Sequence, residues 1–313
     1  MTQNAPFFAD VSDAPPPERV SWLSTQDGTR LRAAFWPAGP KGMVAIFPGR
    51  TEVIEKYGRV VRDLAAGGFG ASVIDWRGQG LSDRLPDTPL RGHVEDFALY
   101  QQDVAAYRTA LDAVAPDVPR FLLAHSMGGC IGLRALIDGF PVQACAFSAP
   151  MWGLRLSPLT QRAVAAVTTA LGFAGRDRRE VPGAGVEFRL WENPFDRNEF
   201  TQDRDSYAYM QRQVREHPDL RLGAPSLRWL VAALAETRAL SALPAPRLPA
   251  YCGLGTREAL VTPQAIESRM GNWPDGRLDI FDGGLHELLM ETQHIRTAFL
   301  TATMAHFEAH LER

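Results

Sequence analysis

Short apolar runs alternate with helix-forming segments along most of this chain, and that alternation limits its fold more than any other feature. Four runs have the length and composition of strands buried on both faces: GMVAIF at 42–47, GASVI at 70–74, FLLA at 121–124 and VQACAFS at 142–148. Helical spacing of apolar residues lies between them, at 57–64, at 94–114 and from Met127 to Asp138. Strands and helices in alternation predict a parallel sheet with helices on both faces.

The alternation begins after a predicted β-hairpin and is interrupted once. The hairpin turns at Asp27-Gly28, and the alternation stops after Pro150. Residues 151–243 show only helical or irregular patterns, and the strand pattern resumes at 248–254 and 277–281 before a C-terminal helix. The sequence therefore predicts a core made of 1–150 and 244–313, with 151–243 as a helical cap inserted after the sixth strand.

A serine stands where one buried strand meets a helix, in the stretch FLLAHSMGGCIGL. Ser126 has small residues two before and two after it, Ala124 and Gly128. Small neighbours at these positions are what a nucleophile elbow requires, because that strained turn raises the serine hydroxyl above the sheet. Serine and glycine are also common in ordinary turns. The strand before and the helix after favour the elbow, so Ser126 is the predicted nucleophile.

A serine nucleophile needs a base, and the base needs an acid that orients it. Four histidines follow Ser126 outside the predicted cap, and three of them fall on the C-terminal helix. His286 instead follows the last predicted strand in a glycine-containing loop, which makes it the predicted base. Glu258, in the loop after the strand at 248–254, is the predicted acid. Three aspartates near the last strand remain rivals: Asp275, Asp279 and Asp282.

Negative charge that develops on the substrate oxygen must meet backbone N–H groups. One predicted donor is Met127, directly after the serine. The other lies in the loop after the strand at 42–47, where Gly49 permits close approach and Arg50 is the predicted main-chain donor. A cofactor has no sequence support, and neither has a metal, because His-Glu-x-x-His and Cys-x-x-Cys are absent from the 313 residues.

Composition narrows the partners and the compartment. A net charge of −3 gives no reason to expect nucleic acid as a partner. The sequence shows neither a secretory signal nor an apolar run long enough to span a membrane. The three cysteines, Cys130, Cys145 and Cys252, each lie in an apolar segment and are predicted to be buried, reduced thiols. A cytoplasmic location is the resulting expectation.

The chain resembles a known group of serine hydrolases, the monoacylglycerol lipases, lysophospholipases and serine aminopeptidase-like α/β hydrolases. The matching segments are PGRTEVIEKYGRV, DWRGQGLSDR, AHSMGG, GTREALVTP and GGLHELLME. The resemblance implies an α/β-hydrolase fold, a triad of Ser126, Glu258 and His286, and oxyanion donors at Arg50 and Met127. The chain departs from the group's pattern at three positions, with Pro48 for histidine, Ala124 for glycine and Glu258 for aspartate.

The resemblance implies hydrolysis of a lipid-like monoester through an acyl-serine, with transient contact to a membrane surface. An aminopeptidase or amidase is an alternative, which requires a cap carboxylate near the site; the candidates are Glu187, Glu192 and Asp196. A ligand-binding protein with little catalysis is the other alternative. Apolar residues of the cap either line an acyl tunnel or pack its helices: Leu159, Val164, Val167, Leu171, Phe173, Trp191, Phe195, Trp229 and Leu230.

Overall fold

The computed structural model describes residues 4–172, 177–181 and 189–311. Its described part contains one eight-stranded sheet, in the spatial order β1-β2-β4-β3-β5-β6-β7-β8. The strands are β1 Arg19–Ser24, β2 Arg30–Phe35, β3 Met43–Phe47, β4 Gly70–Asp75, β5 Arg120–His125, β6 Ala144–Ser148, β7 Ala250–Gly255 and β8 Gly276–Phe281. The hairpin β1–β2 is antiparallel and β2 runs antiparallel to β4, whereas all the other pairs are parallel.

Eight α-helices occur in the described residues. They are α1 Gly58–Ala66, α2 Ala98–Val114, α3 Met127–Ile137, α4 Pro158–Gly172, α5 Arg204–Glu216, α6 Leu227–Ser241, α7 Pro263–Gly271 and α8 Gln293–Ala309. Helices α4, α5 and α6 all lie between β6 and β7 along the chain. In its described residues, the segment in which the strand pattern stops therefore contains three α-helices joined by irregular stretches. None of the described helices has the length and hydrophobicity needed to cross a bilayer.

Alternate residues of the central strands pack on opposite faces of the sheet. In β3, Met43, Ala45 and Phe47 join the cluster that contains residues of α2 and α3, while Val44 and Ile46 join the cluster that contains residues of α1 and α8. Every residue of β3 and of β6 is buried. Helices cover the central strands on both faces. Residues that can contact a substrate therefore lie in the loops that follow the strands.

The observed elements differ from the predicted ones mainly at one helix start. Apolar spacing predicts a helix from residue 94, but α2 begins at Ala98. Val94 and Phe97 are buried in the preceding loop, where the Asp96 side chain accepts the Ala98 N–H at 2.9 Å. An aspartate that satisfies an early helical N–H favours the start of a helix there. The regular spacing of buried residues in α2 therefore extends back into the loop before the helix.

The three cysteines are free and buried, as predicted. Burial raises the pKa of each of the three thiols.

Candidate active site

Ser126 lies in a strained turn between β5 and α3. Its φ is +49° and its ψ is −118°, a backbone conformation that non-glycine residues rarely adopt. The strand before it is fixed by pairing with β3 and β6, and the Ser126 N–H donates to the Ser148 carbonyl at 3.1 Å. A Cβ at position 128 would lie 2.1 Å from the Phe47 carbonyl oxygen. Glycine at 128 therefore lets α3 begin directly against the end of β3.

His286 bridges Ser126 and Glu258. Its Nε2 is 2.9 Å from Ser126 Oγ, and its Nδ1 is 2.7 Å from Glu258 Oε2. Because a carboxylate only accepts, Nδ1 carries the proton and donates it to Glu258, which leaves Nε2 to accept the serine hydroxyl. His286 and Glu258 are buried, at 3% and 5% exposure. The three sequence-predicted residues thus meet in one hydrogen-bonded line.

The Glu258 carboxylate is held by its own loop. Its Oε1 accepts the N–H groups of Leu260 at 2.6 Å and Val261 at 3.0 Å. Burial acts to raise the pKa of Glu258, but the attraction of His286 and these hydrogen bonds outweigh it and keep the pKa below its ordinary value. The carboxylate is therefore ionised at neutral pH and suited to stabilise an imidazolium.

The three rival aspartates have partners elsewhere. Asp279 accepts hydrogen bonds from Arg277, the nearer at 2.5 Å. Asp282 accepts a hydrogen bond from Thr256 at 3.3 Å, and Asp275 lies 4.0 Å from His310.

The two predicted oxyanion donors border the same cavity as Ser126. Met127 is the first residue of α3, where helix N–H groups have no acceptor within the helix. The loop that carries Arg50 is fixed on both sides: Glu52 Oε2 accepts the Gly49 N–H at 2.5 Å, and the Gln79 amide donates to the Gly49 carbonyl at 2.8 Å. The Pro48 carbonyl accepts the Trp76 indole N–H at 2.9 Å. These bonds hold the loop although proline replaces the usual histidine.

The cavity above Ser126 has a volume of about 540 Å³. Its walls come from the sheet domain and from the segment between β6 and β7, and most of them are apolar. The apolar side chains in the wall include Leu154, Met210, Val214, Trp229, Leu230 and Val261. The cavity falls within the range of small-ligand sites, which are apolar clefts with a few placed polar groups.

Few of the apolar residues singled out between 151 and 243 reach this cavity. Trp229 and Leu230 line it, whereas Leu159 and Val167 are 76% and 47% exposed. Trp191 packs near Val53, Val214 and Leu220. Phe195 packs edge-on against Tyr207 with ring centroids 5.6 Å apart, and Phe173 lies outside the described residues.

Two of the three carboxylates named as candidates for binding an amine pair with neighbouring side chains. The exposed Glu192 accepts a hydrogen bond from the Trp191 indole at 3.0 Å, and the exposed Asp196 pairs with Arg204 at 3.0 Å. Glu187 lies outside the described residues. Glu199, an exposed residue that sequence reasoning did not name, borders the cavity instead.

Three arginines also border the cavity: Arg50, Arg155 and Arg197. The Arg50 guanidinium donates to the Gly223 carbonyl and lies 5.5 Å from the Trp229 ring centroid. Burial lowers its pKa to about 10, so it remains a cation at neutral pH. Arg155 and Arg197 are exposed at the rim. The cavity therefore offers positive charge near its opening as well as an apolar interior.

Four buried titratable side chains border the same cavity, and sequence reasoning placed none of them in the candidate site. Glu52, Lys56, His125 and Glu287 are at most 5% exposed, and we call them the charge cluster. The Lys56 ammonium contacts Glu52 and lies 2.7 Å from Glu287 Oε2. A compositional signal was present, because the chain has only two lysines among its 33 basic residues.

Glu52, His125 and Glu287 also form a possible ligand set, with one ligand atom each within 4.8 Å of one another. The Lys56 ammonium contacts both carboxylates of that set. A divalent ion here would meet a fixed positive charge among its own ligands. The set therefore does not fit a metal while Lys56 is present.

Comparison with known proteins gives a consistent result. The family model Hydrolase_4, described as serine aminopeptidase S33, matches residues 38–293. Lysophospholipase L2 of Escherichia coli strain K12 is 31% identical over 280 residues, which cover 86% of this chain and 81% of that protein. Monoglyceride lipase of Mus musculus is 31% identical over 120 residues, which cover 38% of each chain.

Solved structures agree with the fold. A soluble variant of monoglyceride lipase from Saccharomyces cerevisiae, in complex with a substrate analogue, matches with a TM-score of 0.74 at 19% identity, over 97% of this chain and 100% of that one. A thermostable carboxyl esterase from Bacillus coagulans matches with a TM-score of 0.73 at 16% identity, over 94% and 99% of the two chains. The α/β-hydrolase fold predicted from sequence is confirmed. The chain is a hydrolase-class enzyme and belongs to the Hydrolase_4 family of serine aminopeptidase S33 proteins.

Proposed function

We propose that this protein is a serine hydrolase that cleaves the carboxylic ester of a lipid-like monoacyl substrate through an acyl-serine intermediate. The observation that carries the proposal is the line from Ser126 through His286 to Glu258, at the base of a mostly apolar cavity. An activated nucleophile needs a base within hydrogen-bond reach and an acid on the far side of that base.

In the first half-reaction, Ser126 Oγ bonds to the ester carbonyl carbon and its proton passes to His286 Nε2. The carbonyl electron pair moves onto oxygen, and the Arg50 and Met127 N–H groups donate hydrogen bonds to that negatively charged oxygen. Glu258 stabilises the imidazolium that has formed. The tetrahedral intermediate then collapses, the bond to the leaving alcohol breaks, and His286 gives that alcohol its proton. The acyl group remains on Ser126.

In the second half-reaction, a water oxygen bonds to the acyl carbon and one water proton passes to His286 Nε2. The second tetrahedral intermediate collapses, the bond from carbon to Ser126 Oγ breaks, and the proton returns to the serine. The products are a free carboxylic acid and regenerated enzyme. No cofactor takes part in either half-reaction.

The cavity supports a substrate with one acyl chain. Residues 151–243 act as a cap in this proposal, since Met210, Val214, Trp229 and Leu230 supply much of the apolar wall. A volume of about 540 Å³ suits a drug-sized ligand, whereas triglycerides carry three chains.

The arginines at the cavity favour a head group that bears phosphate, since guanidinium binds phosphate well. The relative that matches over most of its length is named lysophospholipase L2, which supports the same preference. A lysophospholipid is therefore the preferred substrate class, and a monoacylglycerol is the second. Transient contact with a membrane surface would supply either one. The predicted cytoplasmic location stays a prediction.

The amidase alternative has less support. A free amine needs a carboxylate inside the site, and Glu192 and Asp196 pair with neighbours of their own. The exposed Glu199 does border the cavity, but it shares that border with three arginines, which disfavour a second cation there. A ligand-binding protein without catalysis would not need Ser126, His286 and Glu258 in hydrogen-bonded order.

Fluorophosphonate labelling and ester turnover test the proposal with Ser126→Ala and a matched surface variant, Ser241→Ala, whose hydroxyl donates to the Arg238 carbonyl of its own helix. We expect Ser126→Ala to remain folded, to lose labelling, and to lose turnover by several orders of magnitude. We expect Ser241→Ala to behave as wild type. Labelling of folded Ser126→Ala at the wild-type rate would refute the assignment of Ser126 as the nucleophile. Equal turnover of a lysophospholipid and the corresponding monoacylglycerol would refute the head-group preference.

A further inference from the structure

Three members of the charge cluster are each adjacent to a different part of the proposed catalytic site. His125 directly precedes Ser126, and Glu287 directly follows His286. Glu52 Oε2 accepts the Gly49 N–H at 2.5 Å, next to the Arg50 donor. The nucleophile, the base and the oxyanion loop come from three distant parts of the chain. The charge cluster is a point at which all three are joined.

Lys56 makes the central contacts. Its ammonium contacts Glu52 and lies 2.7 Å from Glu287 Oε2, so it connects the oxyanion loop to the histidine loop. The Tyr57 hydroxyl donates to Glu52 Oε2 at 2.6 Å and fixes that carboxylate further. Ammonium is a compact charge with three donors, which suits two carboxylates that converge from different directions.

His125 completes the cluster from the nucleophile side. Its Nδ1 is 3.0 Å from the Ser148 carbonyl, which only accepts, so Nδ1 carries a proton. Its Nε2 lies 3.3 Å from Glu287 Oε1 and 3.5 Å from Glu52 Oε1. Burial opposes a charge on His125, but the attraction of Glu287 and Glu52 outweighs it and raises the pKa of His125. The His125 and His286 ring centroids are 4.8 Å apart.

The chain uses arginine for nearly all of its basic residues, so the lysine at position 56 is unusual. Of the 33 basic residues, 31 are arginine, and the other lysine, Lys41, has a partly exposed side chain that pairs with Glu308. A chain that otherwise uses arginine throughout has one buried lysine, and that lysine borders the active-site cavity. Isolated buried charges are unfavourable, and these four side chains offset that cost by pairing with one another.

We propose that the charge cluster positions the catalytic site, with Lys56 as the residue that holds the oxyanion loop and the His286 loop in mutual register. This inference rests on the proposed roles of Ser126, His286 and Arg50. Lys56 is a positioning residue, because it acts through Gly49 and Glu287 and has no contact with the reacting atoms in this account. Its loss should affect the transition state more than substrate binding.

The test compares Lys56→Met, the double variant Lys56→Met/Glu287→Gln, and the control Lys41→Met. The double variant removes one positive and one negative charge together, so it avoids leaving a buried carboxylate unpaired and keeps the test open if the single variant unfolds. The measurements are thermal unfolding, kcat and KM for p-nitrophenyl butyrate, and the rate of fluorophosphonate labelling.

We expect the folded double variant to lose about 10- to 100-fold in kcat and in labelling rate, with KM within about twofold of wild type, because misplacement of catalytic groups lowers the rate of chemistry. Lys56→Met should lose at least as much if it folds, because it leaves Glu52 and Glu287 without the ammonium that joins them. Lys41→Met should change nothing.

A folded double variant with kcat and labelling within about twofold of wild type would overturn the positioning role and leave the proposed function intact. A rise in KM at unchanged kcat would overturn it as well, because that result would assign the cluster to substrate binding. If the wild-type protein reacts with neither ester nor probe, the proposed function fails, and the positioning role fails with it.

Discussion

Gly128→Ala tests the packing at the nucleophile elbow. The new Cβ would lie 2.1 Å from the Phe47 carbonyl oxygen and 2.5 Å from that of Pro48. Both atoms are backbone, and Phe47 is fixed by its pairing with Ala124 in the middle of the sheet. Since real Cβ contacts essentially never fall below 3.0 Å, α3 or the loop after β3 must move by about 1 Å.

The magnitude follows from two opposing effects. Overpacking of this kind costs about 1–3 kcal/mol, and contact with fixed backbone places Gly128→Ala at the upper end or above it. Alanine recovers up to about 1 kcal/mol in helix propensity. We expect a net loss of about 2–3 kcal/mol in the free energy of unfolding, which lowers Tm by about 3–5 °C in a chain of this size. Turnover should fall further than stability explains, because the displaced loop carries Arg50.

Two other glycines calibrate the result. Position 132 faces the Leu122 side chain at 3.2 Å, and position 271, the last residue of α7, has nothing within 4 Å. Tm should therefore rise or stay unchanged for Gly271→Ala, fall slightly for Gly132→Ala, and fall most for Gly128→Ala. Differential scanning calorimetry measures the series. A Tm for Gly128→Ala equal to that of Gly271→Ala would show that the elbow is not tightly packed.

Three further outcomes are expected. Glu258→Gln should lower kcat by about 10³- to 10⁴-fold while Asp282→Asn has little effect, and the reverse order in steady-state kinetics would reassign the acid. For p-nitrophenyl esters, kcat/KM should rise about fourfold per added methylene until the cavity is full. Leu230→Trp should shift the chain length of highest kcat/KM to shorter esters, and Trp191→Ala should not. An unchanged optimum in Leu230→Trp would show that the cap does not select the acyl chain. Because its folded pKa is raised, His125 contributes stability that is complete below about pH 6.5 and is lost as pH rises through the folded pKa. His125→Gln should thus lower Tm more at about pH 6 than at about pH 9, and an equal loss at both would contradict the raised pKa.

Much of the sheet was predictable, because a strand buried on both faces must be a continuous apolar run. The runs at 42–47, 70–74 and 121–124 each coincide with an observed strand to within a residue or so. The start of α2 was not predictable from spacing, since Val94 and Phe97 are buried by tertiary contacts outside any helix. Periodicity reports burial and does not by itself report hydrogen bonding.

The candidate site was also predictable from the sequence only in part. Ser126 directly follows β5 and His286 lies in the loop after β8, so their positions along the chain were enough to predict that they lie close together. The charge cluster was not identified, because its members come from three separate parts of the sequence and each resembles an ordinary surface charge. Glu52 and Lys56 are four residues apart, a spacing common in exposed ion pairs. Only the fold shows that both are buried and that Glu287 faces them.

The scarcity of lysine has a practical consequence for handling the protein. Amine-reactive reagents need an exposed side chain, and Lys56 is buried, which leaves Lys41 as the accessible lysine. Lys41 lies just before β3, at the amino end of the parallel strands, whereas Ser126 follows the carboxyl end of β5. A bead, dye or surface coupled through Lys41 would therefore attach at the opposite edge of the sheet from the cavity, and the immobilised enzyme would face its substrate.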